Sequence, residues 1–338
     1  MNQFTPDIKD YRDIDAQEEL SDSEIDRLIS PKFLVDRLQD RREARVHGIE
    51  LPFQQLKDTD FRLHEGTLNM IGGYTGHFKS TIASQIALRA LRKNIKVGVA
   101  SLELFAEDVL EHLTEIANCK TAPLNYVEAF AEWANEKLFI YDRMESIDPE
   151  EAVQMCIALA KYCGCKLIVL DSLMMINGVS GDTAIEQRFS QTLAAVARKF
   201  DTCILLVHHV RKPGAEGEAK VPGKYEFLGS SHLANIAASI MVVWHDKVQN
   251  EMRTSDELGR KAAHRMNVPH VSNPEYKPHL ADMVFKVVKN RYSRYEGSIE
   301  LWRHDDCRGF TSDSGRFLTQ FTIQDLLKEQ GDHLREVI

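Results

Sequence analysis

The sequence predicts an α/β fold in which a mostly parallel sheet is flanked by helices and ends in a C-terminal antiparallel hairpin. Two observations predict the parallel part: short apolar runs recur from residue 66 onward, and helical stretches separate most of them. Strands joined through helices pair in parallel, with helices covering both faces of the sheet. A third observation predicts the hairpin, because the last two apolar runs are separated only by a short turn.

Each predicted element follows from its residues. The strand-like runs are rich in Val, Ile and Leu, as expected of strands buried on both faces. They read "TLNMIGG", "KVGVASLE", "KLFIYD", "CKLIVLD", "TCILLVHH" and "ASIMVVWH". The predicted helices cover residues 80–93, 105–118, 149–163 and 183–200. The hairpin is predicted in "MVFKVVKNRYSRYEGSIELWRH", with its turn near Tyr295–Gly297.

Composition divides the chain into four parts. Residues 1–28 are acidic and are expected to be a disordered tail. Residues 29–60 are expected to be a linker or subunit-docking region, whose charged helix is either solvated or packed on a neighbouring subunit. The α/β domain is predicted over residues 61–312. Residues 313–338 form a C-terminal helix or tail that docks a partner or packs on its own domain.

The overall charge and hydropathy exclude several classes of protein. A net charge of −9 over 338 residues argues against non-specific coating of nucleic acid, although local basic loops are compatible with it. No apolar run reaches the roughly 18 residues of a membrane span, and no signal peptide opens the chain. The six cysteines lack the spacing of a disulfide framework or a metal site. We therefore expect a reduced, cytoplasmic protein without membrane association, in a bacterium or a virus-infected cell.

The segment "GGYTGHFKST" is close to a phosphate-binding loop between a strand and a helix. In the pattern G-x-x-x-x-G-K-[ST], glycines admit phosphate to the backbone amides, lysine reaches the outer phosphates and the hydroxyl binds magnesium. Gly73, Gly76, Lys79 and Ser80 fit, and Thr81 completes the candidate nucleotide-binding set. Phe78 replaces the second glycine, at a steric cost if the backbone there needs a positive φ. The sequence leaves open whether Phe78 weakens or abolishes turnover.

Polar residues at the ends of later strands suggest the rest of a nucleotide site. Asp171 ends the strand "KLIVLD" and would organise Mg²⁺ alongside Ser80. Glu103 follows the strand after the loop helix, where a base could activate water. His209 ends the strand "TCILLVHH", where it could sense the γ-phosphate of ATP.

In this order, "GGYTGHFKST", "SLE", "LIVLDS", "HHVRKPG", "LGSSHLANIAASIMVVW" and "VVKNRYSRYEG" resemble the RecA-like motor domain of DnaB-type replicative helicases. Twinkle-type primase-helicases share that domain. The resemblance covers residues 45 to 310 and implies a RecA-like P-loop NTPase fold. It also implies that Glu103 is the catalytic base, His209 the γ-phosphate sensor, and Lys289 and Arg291 a pair inserted into the neighbouring subunit's site.

The same resemblance implies contacts with DNA from two loops that face a central channel. These would be residues 174–186 and 211–230, the second carrying Arg211, Lys212, Lys220 and Lys224. Spaced cations on a long loop suit backbone phosphates rather than base edges, so binding would be independent of sequence.

These motifs predict an ATP- and Mg²⁺-dependent motor on single-stranded or forked DNA. The resemblance implies a replicative helicase that moves 5′ to 3′ and assembles as a homo-oligomer, most simply a hexameric ring. The short N-terminal region leaves no room for a helical collar or primase, so a separate primase or loader is expected. Two alternatives remain: a RecA- or RadA-type recombination ATPase, and a nucleotide-binding assembly or regulatory protein whose phosphate loop has degenerated.

Overall fold

The computed structural model describes residues 29–46, 48–211, 220–224, 226–227, 231–272, 275–277 and 279–336. The chain divides into two compact units, with the second starting at Gly48. In the first unit a 3-10 turn, Pro31–Leu34, leads into helix α1, Val35–Val46. The described side chains of α1 are exposed, so both interpretations of this helix stay open. The predicted acidic tail lies outside the described residues.

The second unit contains all six predicted parallel strands and the predicted hairpin, which confirms the fold class. Its strands are β1 (Thr67–Gly73), β2 (Val97–Ser101), β3 (Leu138–Ile140), β4 (Leu167–Asp171), β5 (Cys203–His209), β6 (Ser239–His245), β7 (Met283–Asn290), β8 (Gly297–Arg303) and β9 (Phe310–Thr311). They form one sheet in the order β3-β2-β4-β5-β1-β6-β7-β8-β9. Strands β1 to β6 are parallel, and β7, β8 and β9 continue the sheet in antiparallel fashion.

Four of the helices match the predicted stretches to within two residues. The helices of the second unit are α2 (Gln54–Lys57), α3 (Lys79–Arg92), α4 (Ala106–Asn118), α5 (Leu124–Ala134), α6 (Pro149–Lys161), α7 (Thr183–Phe200), α8 (Ser231–Ile236), α9 (Lys247–Met266) and α10 (Ile323–Glu336). Helix α9 is 20 residues long but was not predicted. Its only buried residue is Arg253, so its sequence lacks the apolar stripe from which a helix is predicted. Among the described residues, no helix combines the length and apolarity needed to cross a membrane.

The core lies on both faces of the sheet. On β4, Leu167 and Val169 join one hydrophobic cluster, whereas Ile168 and Leu170 join the other. Successive side chains of a strand point to opposite faces, and here helices cover both. This is the physical reason why the central strands appear in the sequence as continuous apolar runs.

The ends of the second unit also contribute to its packing. Residues 48–60, which the sequence analysis assigned to the linker region, include the buried side chains of Phe53 and Leu56. At the other end, Tyr126 Oη on α5 donates a hydrogen bond to the carbonyl oxygen of Phe321 at 2.6 Å. Trp133 Nε1, also on α5, donates to Glu329 Oε2 on α10 at 3.1 Å. These contacts favour packing of the C-terminal helix on its own domain.

Candidate functional site

The carboxyl ends of neighbouring parallel strands bring several predicted site residues together. Gly73, the last residue of β1, is in register with His209, the last residue of β5. Asp171 ends β4, which pairs with β5 on the far side from β1. All three residues therefore lie at one edge of the sheet. Ligands of open α/β sheets bind in the crevice outside this edge.

The loop between β1 and α3 can present backbone donors to this crevice. Gly76 has a φ of +79°, and a Cβ added there would meet no atom within 4 Å. Helix α3 begins at Lys79, and the first amides of a helix have no acceptor within the helix. Together with the helix dipole, the amides of Lys79, Ser80 and Thr81 form a site suited to phosphate.

Phe78, the departure from the usual pattern, adopts the left-handed conformation that glycine normally supplies. Its φ is 59° and its ψ is 29°. For a residue with a Cβ this conformation costs about 1–2 kcal/mol. The Phe78 ring packs edge to face on His245 and Phe310, with centroid distances of 4.8 and 5.2 Å. At position 78 the backbone thus adopts a left-handed conformation despite the substitution.

Lys79 is buried within the loop that it would serve. Its ammonium donates a hydrogen bond to the carbonyl oxygen of Tyr74 at 2.9 Å and lies 3.4 Å from His209 Nδ1. Burial lowers the pKa of Lys79 to about 8, although the carboxylates of Asp171 and Glu103 act in the opposite direction. A buried ammonium held this way is a preformed partner for an anion.

Ser80 and Asp171 form a pair of oxygen ligands beside Lys79. The Ser80 hydroxyl is hydrogen-bonded to the Asp171 carboxyl, and Asp171 is 8% exposed. Burial raises the pKa of Asp171 to about 6, more than Ser80 and Lys79 offset. Carboxylate and hydroxyl oxygens are ligands that Mg²⁺ prefers, and a divalent cation would compensate the buried charge. The residues present therefore fit a magnesium ion.

Glu103 has a hydrogen-bond donor that the sequence did not reveal. Ser172 Oγ donates to Glu103 Oε1 at 2.5 Å and so orients an otherwise exposed carboxylate. The backbone supports this contact, because Leu102 N–H donates to the carbonyl oxygen of Asp171 at 2.7 Å. The only sequence signal for Ser172 was its place directly after the aspartate that ends β4.

His209 lies between the phosphate loop and the start of the predicted DNA loop. Its Nδ1 is 3.3 Å from Thr75 Oγ1 and 3.4 Å from Lys79 Nζ. Burial and the charge of Lys79 lower its pKa, so the imidazole is neutral at pH 7 and Nδ1 can accept from Lys79. Thr75 is a further site residue that the sequence analysis missed.

Lys289 and Arg291 are not brought to this crevice. Strand β7 runs antiparallel to β6, so its end lies at the opposite edge of the sheet. Arg291 N–H donates to the carbonyl oxygen of Ala238, and Ala238 N–H donates to that of Leu68. Leu68 precedes Gly73 by five residues on β1, a distance of about 16 Å along a strand. Arg291 therefore lies near the amino end of β1, at the opposite end of this strand from the phosphate loop of its own chain.

Both side chains bind the carboxyl end of α8. Lys289 Nζ donates to the carbonyl oxygens of Ala234, Asn235 and Ala237 at 2.6, 3.0 and 2.7 Å. Arg291 Nη2 donates to the Asn235 carbonyl oxygen as well. Burial, with the charges of Arg291 and Lys224, lowers the pKa of Lys289 to about 8. Lys289 thus stabilises α8, whereas Arg291 remains exposed at the surface.

Of the four cations predicted to contact DNA, Lys212 lies outside the described residues. Arg211, Lys220 and Lys224 are exposed. Arg211 is the second residue after the end of β5. Its backbone N–H donates to the Glu226 carbonyl oxygen at 2.7 Å. The segment therefore begins and returns at the edge of the sheet that holds His209. In the other predicted loop, Asp182 caps α7 by accepting from the amides of Ala184 and Ile185.

Comparisons with known proteins find relatives among proteins with AAA domains and replicative helicases. The sequence profile of the AAA domain family matches residues 36–215. The chain is 25% identical over 181 residues to the replicative DNA helicase DnaB of Helicobacter pylori strain J99, and 24% identical over 181 residues to that of strain 26695. Each alignment covers 50% of this chain but 36% of the relative. The chain therefore matches little more than a third of the length of these curated relatives.

Two solved structures share the fold. One is an ATPase domain, which superposes with a TM-score of 0.65 at 15% identity, over 83% of this chain and 97% of that one. The other is a DnaB-like replicative helicase, described together with its interactions with primase, which superposes with a TM-score of 0.64 at 15% identity. That second superposition covers 84% of this chain and 67% of the other.

The strand order and the phosphate loop define a RecA-like P-loop fold. The chain belongs to the AAA domain family, because the family profile matches more than half of it. Within that family it resembles the motor domain of DnaB-type helicases, which confirms the resemblance drawn from the sequence motifs. At the level of the family, these similarities support a helicase-type ATPase.

Proposed function

We propose that this protein is an Mg²⁺-dependent ATPase that moves along single-stranded DNA as a hexameric ring, in the 5′-to-3′ direction, and separates duplex strands. The observation that carries the proposal is the convergence of Lys79, Ser80, Asp171 and Glu103 at one crevice. A left-handed Phe78 preserves the loop geometry there. A site with all four groups in place favours turnover over nucleotide binding alone.

Each residue has a role that follows from its position. Lys79 and the first amides of α3 bind the outer phosphates of ATP. Ser80 and Asp171 hold Mg²⁺, which neutralises developing charge on the phosphates when bound. Glu103, oriented by Ser172, takes a proton from the attacking water. His209 contacts Lys79 and lies two residues before Arg211, so it can relay the state of the γ-phosphate to the DNA loop.

DNA and protein partners follow from the same interpretation. The cations Arg211, Lys220 and Lys224 would bind the phosphates of one strand inside the ring, and such contacts weaken as salt rises. Arg291 would enter the nucleotide site of the adjacent subunit. It lies at the opposite end of the strands from the nucleotide site of its own chain, so it is free of a role there. A primase or loader as a protein partner, and a cytoplasmic location, complete the proposal.

Steady-state ATP hydrolysis of the purified protein with Mg²⁺, with and without single-stranded DNA, tests the proposal. We expect DNA to stimulate hydrolysis, and strand-separation assays should then show unwinding. Lys79→Ala is the control for contaminating ATPases and should abolish the signal. Hydrolysis that is absent in both conditions would exclude the motor and leave a nucleotide-binding regulatory protein. A filament without unwinding would instead indicate a recombination ATPase.

The position of Ser172 leads to a first mutational prediction. Ser172→Ala removes the donor that orients Glu103, so we expect kcat to fall by about tenfold, the equivalent of one good hydrogen bond. The affinity for nucleotide should stay within about twofold, since Glu103 does not bind the phosphates. Kinetics and equilibrium nucleotide binding measured on the same preparation distinguish the two effects. A parallel loss of affinity would mean that Ser172 supports the whole site.

The lowered pKa of His209 leads to a second prediction, on pH dependence. Hydrolysis should fall as the pH drops through that pKa, because a protonated ring repels Lys79 and cannot accept its hydrogen bond. His209→Gln keeps a hydrogen-bonding group that does not titrate, so its activity should persist further into the acid range. The measurement is a pH–rate profile of both proteins between about pH 5 and pH 8. If the activities of the wild type and of His209→Gln fall at the same acid pH, protonation of His209 has no role in hydrolysis.

A further inference from the structure

A cluster of rings beside the phosphate loop has no part in the proposed reaction. It consists of His77, Phe78, His245 and Phe310, with Arg303 over the Phe78 ring. His77 and Phe78 belong to the loop itself. The other three residues come from β6, β8 and β9, which follow the loop far along the chain.

His245 is an unusual residue to find in this position. It ends β6, is 3% exposed, and neither of its ring nitrogens has a hydrogen-bond partner among the described residues. Burial and neighbouring His77 lower its pKa to about 4, so the ring is uncharged at neutral pH. A buried imidazole without partners is unfavourable, so its presence calls for a compensating role.

Three contacts of His245 lead to the phosphate loop, two to His77 and one to Phe78. Its backbone N–H donates a hydrogen bond to His77 Nδ1 at 2.9 Å, which ties the end of β6 to the loop. Its ring lies 4.8 Å from the Phe78 ring at an interplanar angle of 78°. Edge-to-face contacts of this kind are favourable for aromatic pairs.

Phe78 is held from other directions as well. Phe310 lies 5.2 Å from its centroid, and the Arg303 guanidinium lies 5.3 Å above the ring. The main chain of Arg303 is held in place, since its backbone N–H donates to Asp282 Oδ2 at 2.7 Å and its carbonyl oxygen accepts from Arg316 Nη1 at 2.8 Å. The ring is thereby immobilised while its own backbone occupies the left-handed region.

We propose that His77 and His245 are positioning residues for phosphate binding: they clamp Phe78 in the left-handed conformation and so replace the conformational freedom of the glycine usual at this position. In this chain the loop is shaped by side-chain packing across the sheet. The inference rests on the proposed ATP site, but the clamp itself exists before any nucleotide binds.

The test is a double-mutant comparison of His245→Ala in the wild-type and Phe78→Gly backgrounds. Two quantities are measured: amide hydrogen exchange of residues 74–81 without nucleotide, and the Kd for a fluorescent ATP analogue. With Phe78 present, His245→Ala should speed exchange and weaken binding by about tenfold, the cost of an unsupported left-handed residue. With glycine at position 78 the same substitution should change both by less than about twofold, because glycine needs no clamp.

Two further variants keep the test decisive if His245→Ala folds poorly. His245→Phe retains the ring and should bind nucleotide like the wild type. His77→Asn retains an acceptor near the position of Nδ1 and should behave better than His77→Ala. Equal effects of His245→Ala in both backgrounds would overturn the clamp and reduce His245 to ordinary core packing. Failure of the wild type to bind nucleotide would refute the proposed function, whereas the exchange data would still decide on the clamp.

Discussion

Arg291→Ala is expected to lower the DNA-stimulated kcat by about 1,000-fold or more, the usual contribution of an arginine supplied to a phosphoryl-transfer site. Arg291 is exposed, and about 16 Å along β1 separate it from the phosphate loop of its own chain. Nucleotide binding to an isolated subunit should therefore be unchanged. ATPase kinetics and equilibrium binding on the same variant test both statements.

Arg294→Ala is the matched control, because Arg294 is an exposed arginine in the same turn. It should hydrolyse ATP at close to the wild-type rate. If Arg291→Ala also retains full activity, the arginine has no catalytic role.

Mixing experiments show whether Arg291 acts between subunits. Arg291→Ala leaves its own crevice intact, whereas a subunit carrying Glu103→Gln still has its arginine. Mixed assemblies should therefore recover part of the hydrolysis that each variant lacks alone. An absence of recovery, with mixed assembly shown independently, would place the action of Arg291 within its own chain.

Glu103→Gln is expected to lower kcat by about 100- to 10,000-fold while nucleotide binding is retained. The substitution keeps the size of the side chain and an oxygen that can accept from Ser172, but it removes the basic carboxylate. Because Glu103 also raises the pKa of Asp171, its loss should not weaken metal binding. Single-turnover hydrolysis and nucleotide titration with Mg²⁺ provide the measurement.

Glu107→Gln serves as the control for this substitution. Glu107 is an exposed carboxylate in the first turn of α4, four residues beyond Glu103. It should be kinetically silent. A Glu103→Gln protein with more than half of the wild-type kcat would mean that another group activates the water.

Much of the fold could be predicted because its signals are local. Strands β1, β2, β4, β5 and β6 are buried on both faces, and such strands stand out as apolar runs between amphipathic helices. Helix α5 was missed although its buried residues Tyr126, Phe130 and Trp133 recur at helical spacing. Two other missed elements lack that signal. Helix α9 is charged along most of its length, and β9 has two residues. Their positions depend on contacts that appear only when the sheet is assembled.

The sequence by itself determined the α/β class, the order of the strands along the chain, and the candidate residues at the phosphate loop. Those follow from periodicity and from short motifs. Only the tertiary structure decided how Phe78 is tolerated, because the support comes from residues such as His245, which is 168 positions away from the His77 that it contacts. The partnership of Ser172 with Glu103 and the remote position of Arg291 were likewise decided by strand order in the sheet. Long-range pairing has no local signature, since it arises only when separate strands pack side by side.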